Sequence, residues 1–156
     1  MLVNLMTARL EKYIAAVPTA LRAWPEEKLH TPLAVGKWSK VQILGHLCDS
    51  AINNVRRMIE AQASNEVYLI APYNQNQWVE AQSYGNAHVD DVITLWESLN
   101  RAMARVIAAI PDDRSLSRQV KLPSGELHTL EWLIMDYMVH LEHHLQQISP
   151  ELVEKR

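Results

Sequence analysis

Apolar residues recur three or four positions apart in four stretches of the chain, the spacing that puts them on one face of an α-helix. In the first stretch Leu10, Ile14, Val17 and Leu21 mark a helix over residues 2–24, closed by Pro25. Pro18 lies inside it and predicts a kink or an early end, because proline cannot donate a bond to the preceding turn. The second helix is predicted over 39–62. Ser39 is a suitable N-cap, and Gln42, three residues on, completes the pattern of a capping box. In the third stretch Val92, Leu95, Trp96, Leu99, Met103, Val106 and Ile110 form the stripe of a helix from about residue 90 to just before Pro111. The fourth helix is predicted from a Thr129 cap to about residue 149, where Pro150 stops it.

The intervals between these stretches are less regular. Pro25, Pro32 and Gly36 mark a polar connector after the first helix. From 63 to 88 the pattern is broken by Pro72, Asn74, Asn76, Gly85 and Asn86, while Tyr68, Tyr73, Trp78 and Tyr84 are spread through it. A connector of this length with this many aromatics predicts a folded cover over something rather than a slack linker. Pro123, Ser124 and Gly125 are a turn signal and predict a small hairpin before the last helix. The expected fold is therefore all-α, a four-helix bundle in one domain spanning residues 1–156, with that hairpin as its only sheet.

Composition agrees and removes some function classes. Hydrophobic residues make up 48% of the 156, enough for one core, and charged residues 21%, which is not a disordered composition. There is no Phe, so the five Trp are expected to serve as large core fillers. The formal charge is −3, and no basic stripe with interleaved aromatics is present, so neither nucleic acid nor an anionic membrane is an expected partner. Cys48 is the sole cysteine; no disulfide can form within the chain, which suits a reducing cytoplasm. The N-terminal segment reads as a helix rather than a secretion signal, and no apolar run is long enough to span a bilayer.

The candidate chemistry lies in the histidines. His140 and His144 are four apart on the predicted fourth helix, so they project from one face one turn apart and can reach one metal ion. The segment reads HLEHH and lacks the general-base glutamate of an HExxH site, which argues against a metalloprotease. His46 lies in an apolar part of the second helix, with Ser50, Asn53 and Arg57 following on its side. Polar groups on a core-facing stripe need partners, and a polar metal-containing cavity would supply them. The alternative is a buried His46 satisfied by a carboxylate or carbonyl. Tyr137 shares the face of His140 and also needs a partner. His143 points about 100° away from His144 and is read as a hydrogen-bonding neighbour or a solvated residue. His30, His88 and His128 are expected to be exposed or to cap helices, and Cys48 to pack as a small apolar residue.

The runs WSKVQILGHLCDSAINNVRRM, APYNQNQW and MVHLEHHLQQI, in that order, resemble the DinB-like superfamily. Within it they are most similar to the branch of metal-dependent hydrolases that includes bacillithiol transferase. The resemblance implies a four-helix bundle in which one histidine of the second helix and two of the fourth bind a metal. By motif these are His46, His140 and His144, the set already chosen by spacing. It implies nickel or zinc as the ion and a homodimer as the assembly; apart from the resemblance, iron and manganese are further candidates for the ion. Asp49, Ser50, Asn53 and Arg57 match the rest of the second-helix motif, and Trp78 a tryptophan of the connector. The connector sequence YNQNQW departs from the family, where acidic residues are common, so no acid–base role is carried over to it.

Three imidazoles leave a metal ion with at least one open position, as in catalytic rather than structural sites. The first expectation is a transferase that activates a low-molecular-weight thiol against a small electrophile. Arg57 and Asn53 would hold a polar or anionic part of the substrate, and Tyr137 would orient it. A hydrolase of a small amide or ester is the second expectation. It needs a general base, for which Asp49 and Glu142 are the nearest carboxylates in sequence. A non-catalytic metal-binding module of stress response is the third.

Overall fold

The computed structural model describes residues 1–153; the last three residues of the expected domain lie outside the described residues. Four long helices dominate: α1 (Leu2–Arg22), α3 (Lys40–Ala63), α5 (Val89–Ala108) and α7 (Leu130–Ile148). Three short helices lie between them: α2 (Glu26–His30), α4 (Gln75–Ala81) and α6 (Asp113–Leu116). The all-α bundle expected from periodicity is what forms. α3 packs against α5 and α7, and α1 against α5 and, less extensively, α7. The first two long helices therefore occupy opposite corners, and the chain crosses the bundle between them.

Local chemistry sets the ends. Ser39 accepts from the Gln42 amide N–H while the Gln42 side chain accepts from the Ser39 N–H, so both arms of the capping box are made. Thr129 caps α7 by accepting from the Trp132 N–H. Pro18 does not end α1, which runs on to Arg22. It is buried within the last turns, where only one bond is lost, and the Thr19 hydroxyl donates to the Ala15 carbonyl beside it.

The predicted hairpin is present as β2 (Gln119–Lys121) and β3 (Leu127–Thr129), with Gly125 at φ +94 in the turn, where glycine alone is free of strain. A two-residue strand from the 63–88 connector, β1 (Tyr68–Leu69), pairs with β2 in parallel and makes a third strand of this sheet. The same connector supplies α4 and a short 3₁₀ turn, Tyr84–Asn86. It is folded, as its aromatics suggested. The expectation for tryptophan holds only for Trp96, which is fully buried in α5; Trp24, Trp38, Trp78 and Trp132 are half-buried around the core. Aliphatic side chains, with Tyr13, Tyr84 and Tyr137, fill the rest of the core.

Candidate metal centre

The stretch Ile43–Ala51 of α3 is buried throughout, because α5 covers one side and α7 the other. His46 is carried into the interior with it and has no exposed surface. Across the α3–α7 contact stand His140 and His144, one helical turn apart and each half-buried. His46 Nε2 lies 3.1 Å from His140 Nε2. The ring centres of His46–His140, His46–His144 and His140–His144 are 5.0, 4.7 and 4.6 Å apart, each pair edge-on. One ring nitrogen from each of the three falls within 4.8 Å of the others.

The surroundings keep these rings uncharged. Burial, then the imidazole of His144, pushes His46 down to about 4. Burial, then His144, His46 and His143, pushes His140 down to about 3. Burial also lowers His144, against the bond to Gln147. At neutral pH all three are therefore neutral imidazoles, the form a metal needs. His144 Nδ1 donates to Gln147 Oε1 at 2.7 Å, and His140 Nδ1 lies 3.4 Å from Ser50 Oγ. With protons held on those outer nitrogens, the Nε2 lone pairs turn inward. Gln147 also donates to His143 Nε2 at 3.4 Å, so His143 is an exposed neighbour of the set rather than part of it. Trp38 closes the far side of His46, ring centres 5.1 Å apart. His46 Nδ1 is buried without a partner.

Nitrogens on a tetrahedral ion with bonds of about 2.0–2.1 Å stand about 3.3–3.4 Å apart. The 3.1 Å spacing of the two Nε2 atoms is close to that, and a cation between them would satisfy lone pairs that otherwise face each other. The donor set thus fits a divalent transition metal with an open position.

Beside His140 lies a cavity of about 280 Å³, lined by Ser50, Asn54, Arg57, Tyr73, Asp136 and Tyr137 among others. A second cavity, about 500 Å³, adjoins it at Arg57, Pro72 and Tyr73 and has Asn53 and Trp78 on its walls. Of the residues singled out in sequence, Arg57 therefore reaches the His140 cavity. Its guanidinium donates to the Ala71 carbonyl at 2.8 Å and faces the Tyr73 ring. Tyr137 lines the same cavity, but its hydroxyl is turned into the core and donates to Asn100 Oδ1 at 2.6 Å. Asn53 lines the second cavity instead and donates to its own helix at the Asp49 carbonyl, 2.9 Å away.

Both carboxylates considered as bases are engaged elsewhere. Asp49 accepts from the Tyr84 hydroxyl at 2.7 Å and from the Gln82 side chain. Glu142 accepts from the Tyr13 hydroxyl at 2.8 Å and pairs with Arg9. Cys48 is buried beside the Val92 carbonyl, and burial pushes its thiol well up, out of reach of nucleophilic use.

Sequence reasoning missed Asp136, Asn54 and Tyr73. Asp136 is four residues before His140 and so shares its face, a signal that was there to be read. Asn54 is four after Ser50 and bonds back to it. Tyr73 lies in the irregular connector, where no periodicity points to a side.

The model of the DinB superfamily matches residues 9–148. The chain is 25% identical over 140 residues to YfiT of Bacillus subtilis, a protein whose name places it among metal-dependent hydrolases; the match covers 90% of this chain and 78% of YfiT. It is 28% identical over 124 residues to a similarly named protein of Oceanobacillus iheyensis, covering 79% of this chain and 70% of the relative. The solved structure of YfiT, described as a four-helix bundle of unusual topology, superposes with a TM-score of 0.82 at 27% identity over 96% of this chain and 85% of YfiT. The fold is also shared with a mycothiol-dependent maleylpyruvate isomerase, at a TM-score of 0.68 and 15% identity, over 95% of this chain and 58% of the isomerase.

Proposed function

The chain belongs to the DinB superfamily, and from that premise we propose that it is a metal-dependent enzyme conjugating a low-molecular-weight thiol to a small electrophile. His46, His140 and His144 would hold one divalent transition metal, zinc or nickel before iron or manganese. The observation that carries this reading is the set of three neutral, converging imidazoles opening beside a small cavity that contains a guanidinium. When bound, the metal would lower the pKa of a coordinated thiol and keep it as thiolate.

The chain's own residues do the remaining work. Ser50 and Gln147 fix the rings of His140 and His144 in the tautomer that presents Nε2. Arg57 attracts an anionic part of the thiol or electrophile into the cavity. Tyr137, held by Asn100, forms its floor, and Asn53 meets any portion of the substrate that extends into the second cavity. The work is assigned to a single domain and to a homodimer in the cytoplasm. Among the described residues no helix is long and apolar enough to cross a membrane.

Purified protein prepared without chelator or affinity tag should contain close to one metal ion per chain. A His140→Ala/His144→Ala variant should contain none. Conjugation of cysteine or glutathione with monobromobimane should follow the metal content. A protein that takes up no metal on soaking would end this reading.

Hydrolysis of a small amide or ester is a second reading, favoured by the names of the relatives and by one observation. Asp136 lines the His140 cavity, and burial raises its pKa toward that of a general base. Ester turnover abolished by Asp136→Asn with metal retained would place hydrolysis first.

A further inference from the structure

Ser50 stands between the imidazole of His140 and the connector, and two groups point at its hydroxyl oxygen. Asn54 Nδ2 can only donate, and it points at Ser50 Oγ from 3.3 Å. His140 Nδ1, 3.4 Å from the same oxygen, must keep its proton if Nε2 is to be free for a metal, so it donates as well. A hydroxyl oxygen accepts two bonds and gives one. The Ser50 side chain is also near enough to Tyr73 to lower its pKa slightly, against the larger effect of burial. The Tyr73 hydroxyl itself donates to no acceptor among the described residues.

That hydroxyl is held in place. The Tyr73 ring meets Trp78 edge-on, centres 5.4 Å apart, and has the Arg57 guanidinium 5.7 Å from its centre. Tyr73 lines both the His140 cavity and its neighbour. Burial raises its pKa, so it is a protonated donor at neutral pH, while Arg57 steadies any charge that passes to it.

We propose that the Tyr73 hydroxyl donates to the oxygen of the electrophile as that oxygen gains negative charge, which makes epoxides and enones, rather than alkyl halides, the substrates this site favours. The proposal rests on the thiol-transfer reading above. With an epoxide, the thiolate sulfur forms a bond to one ring carbon. That carbon's bond to oxygen breaks, its electron pair stays on the oxygen, and the oxygen takes the Tyr73 proton. The tyrosinate regains from solvent the proton that the thiol released on ionising. The product is a hydroxy thioether, and nothing is oxidised or reduced.

The test compares metal-loaded parent with Tyr73→Phe, using cysteine or glutathione against styrene oxide and against benzyl chloride. The variant should lose about 100-fold in kcat/KM with the epoxide, the scale of one lost oxyanion donor, and stay within about threefold with the halide. Equal losses with both electrophiles, or no loss with either, would overturn the inference while leaving thiol transfer standing. No conjugation by the parent with either electrophile would overturn the thiol-transfer reading itself.

A second readout does not use turnover. Metal-free parent should bind the hydroxy thioether made from cysteine and styrene oxide about tenfold more tightly than its deoxy analogue by calorimetry. Tyr73→Phe should erase that difference, and a preference unchanged in the variant would count against the donor role. A melting scan should show Tyr73→Phe folded at the assay temperature, so that its losses report on the hydroxyl.

Discussion

His46 Nε2 and His140 Nε2 face each other at 3.1 Å across the contact of α3 with α7. Two neutral rings can meet at this distance only by sharing a proton or a cation, and the third imidazole, His144, converges on the same point. A ligand that binds only the folded state adds stability by mass action, about 2.7 kcal/mol at 100 times its dissociation constant. For a chain of this size that corresponds to a rise of about 5–11 °C in Tm. Calorimetric scans with zinc or nickel and after chelation should show it for the parent, and no difference should remain in His140→Ala. A parent Tm indifferent to chelation would remove the metal.

Acid should destabilise the metal-free protein from the pH at which histidines of the unfolded chain begin to protonate. An unfolded histidine titrates near 6.5, whereas folded His46 and His140 sit at about 4 and about 3. A histidine lowered in the folded state is protonated first in the unfolded chain. Its stabilising contribution is therefore full above about pH 6.5 and is lost as pH falls toward the folded values. Each of the two adds a slope of at most about 1.4 kcal/mol per pH unit. Burial raises Asp49 and Asp136, whose effect has the opposite sign and offsets part of the fall; the window to follow runs from about pH 6.5 down to about 5. Urea midpoints measured with chelator present should fall steadily through it; a flat series would contradict the neutral, buried assignment of these rings.

Gly45 is fixed by a contact rather than by its backbone. A Cβ built there would lie 2.2 Å from the Tyr84 ring, which packs flat on α3 and sends its hydroxyl to Asp49 at 2.7 Å. Gly45→Ala must move the ring, and with it the bond that satisfies a buried carboxylate. Overpacking of this kind costs about 1–3 kcal/mol, and the weakened Asp49 bond adds to it. Urea unfolding of Gly45→Ala should show a loss in that range. A change under about 0.5 kcal/mol would mean that the connector is not seated on α3 as described.

Much of this was legible beforehand. The four stripes, the Ser39 and Thr129 caps and the turn at Gly125 are local signals, and local energetics decide them. The pairing of His140 with His144 is local too, since one helical turn separates them. The place of His46 opposite them is set by packing α3 on α7; the polar stripe that follows it along its helix marked it as a candidate, and the family resemblance agreed. The partners were illegible where the chain doubles back. Nothing in the sequence says that the Tyr137 hydroxyl goes to Asn100 of α5 rather than to a ligand, or that Asp49 is met by Gln82 and Tyr84 of the connector. Asn53 and Asn54 differ by one position, and only the helix rotation set by tertiary packing decides which reaches the His140 cavity. β1 joins β2 from about 50 residues away, a pairing that a two-residue strand does not announce.

Arg57 has two jobs that substitution can separate. Its Nη2 anchors the connector through the Ala71 carbonyl, and its positive charge lies on the wall of the His140 cavity. A charged hydrogen bond to a substrate anion is worth about 1.5–3 kcal/mol, so Arg57→Ala should raise KM for a carboxylate-bearing thiol such as glutathione by about 10–100-fold. For 2-mercaptoethanol, which has no anionic group besides its sulfur, the rise should be several-fold smaller. Arg57→Lys keeps the charge but not the planar fork, and should recover part of the glutathione effect. Metal content should stay at the parent's level in both variants, since Arg57 touches none of the three imidazoles. Equal losses for the two thiols would mean that Arg57 acts by holding the connector, and that the cavity draws its anion selectivity from elsewhere.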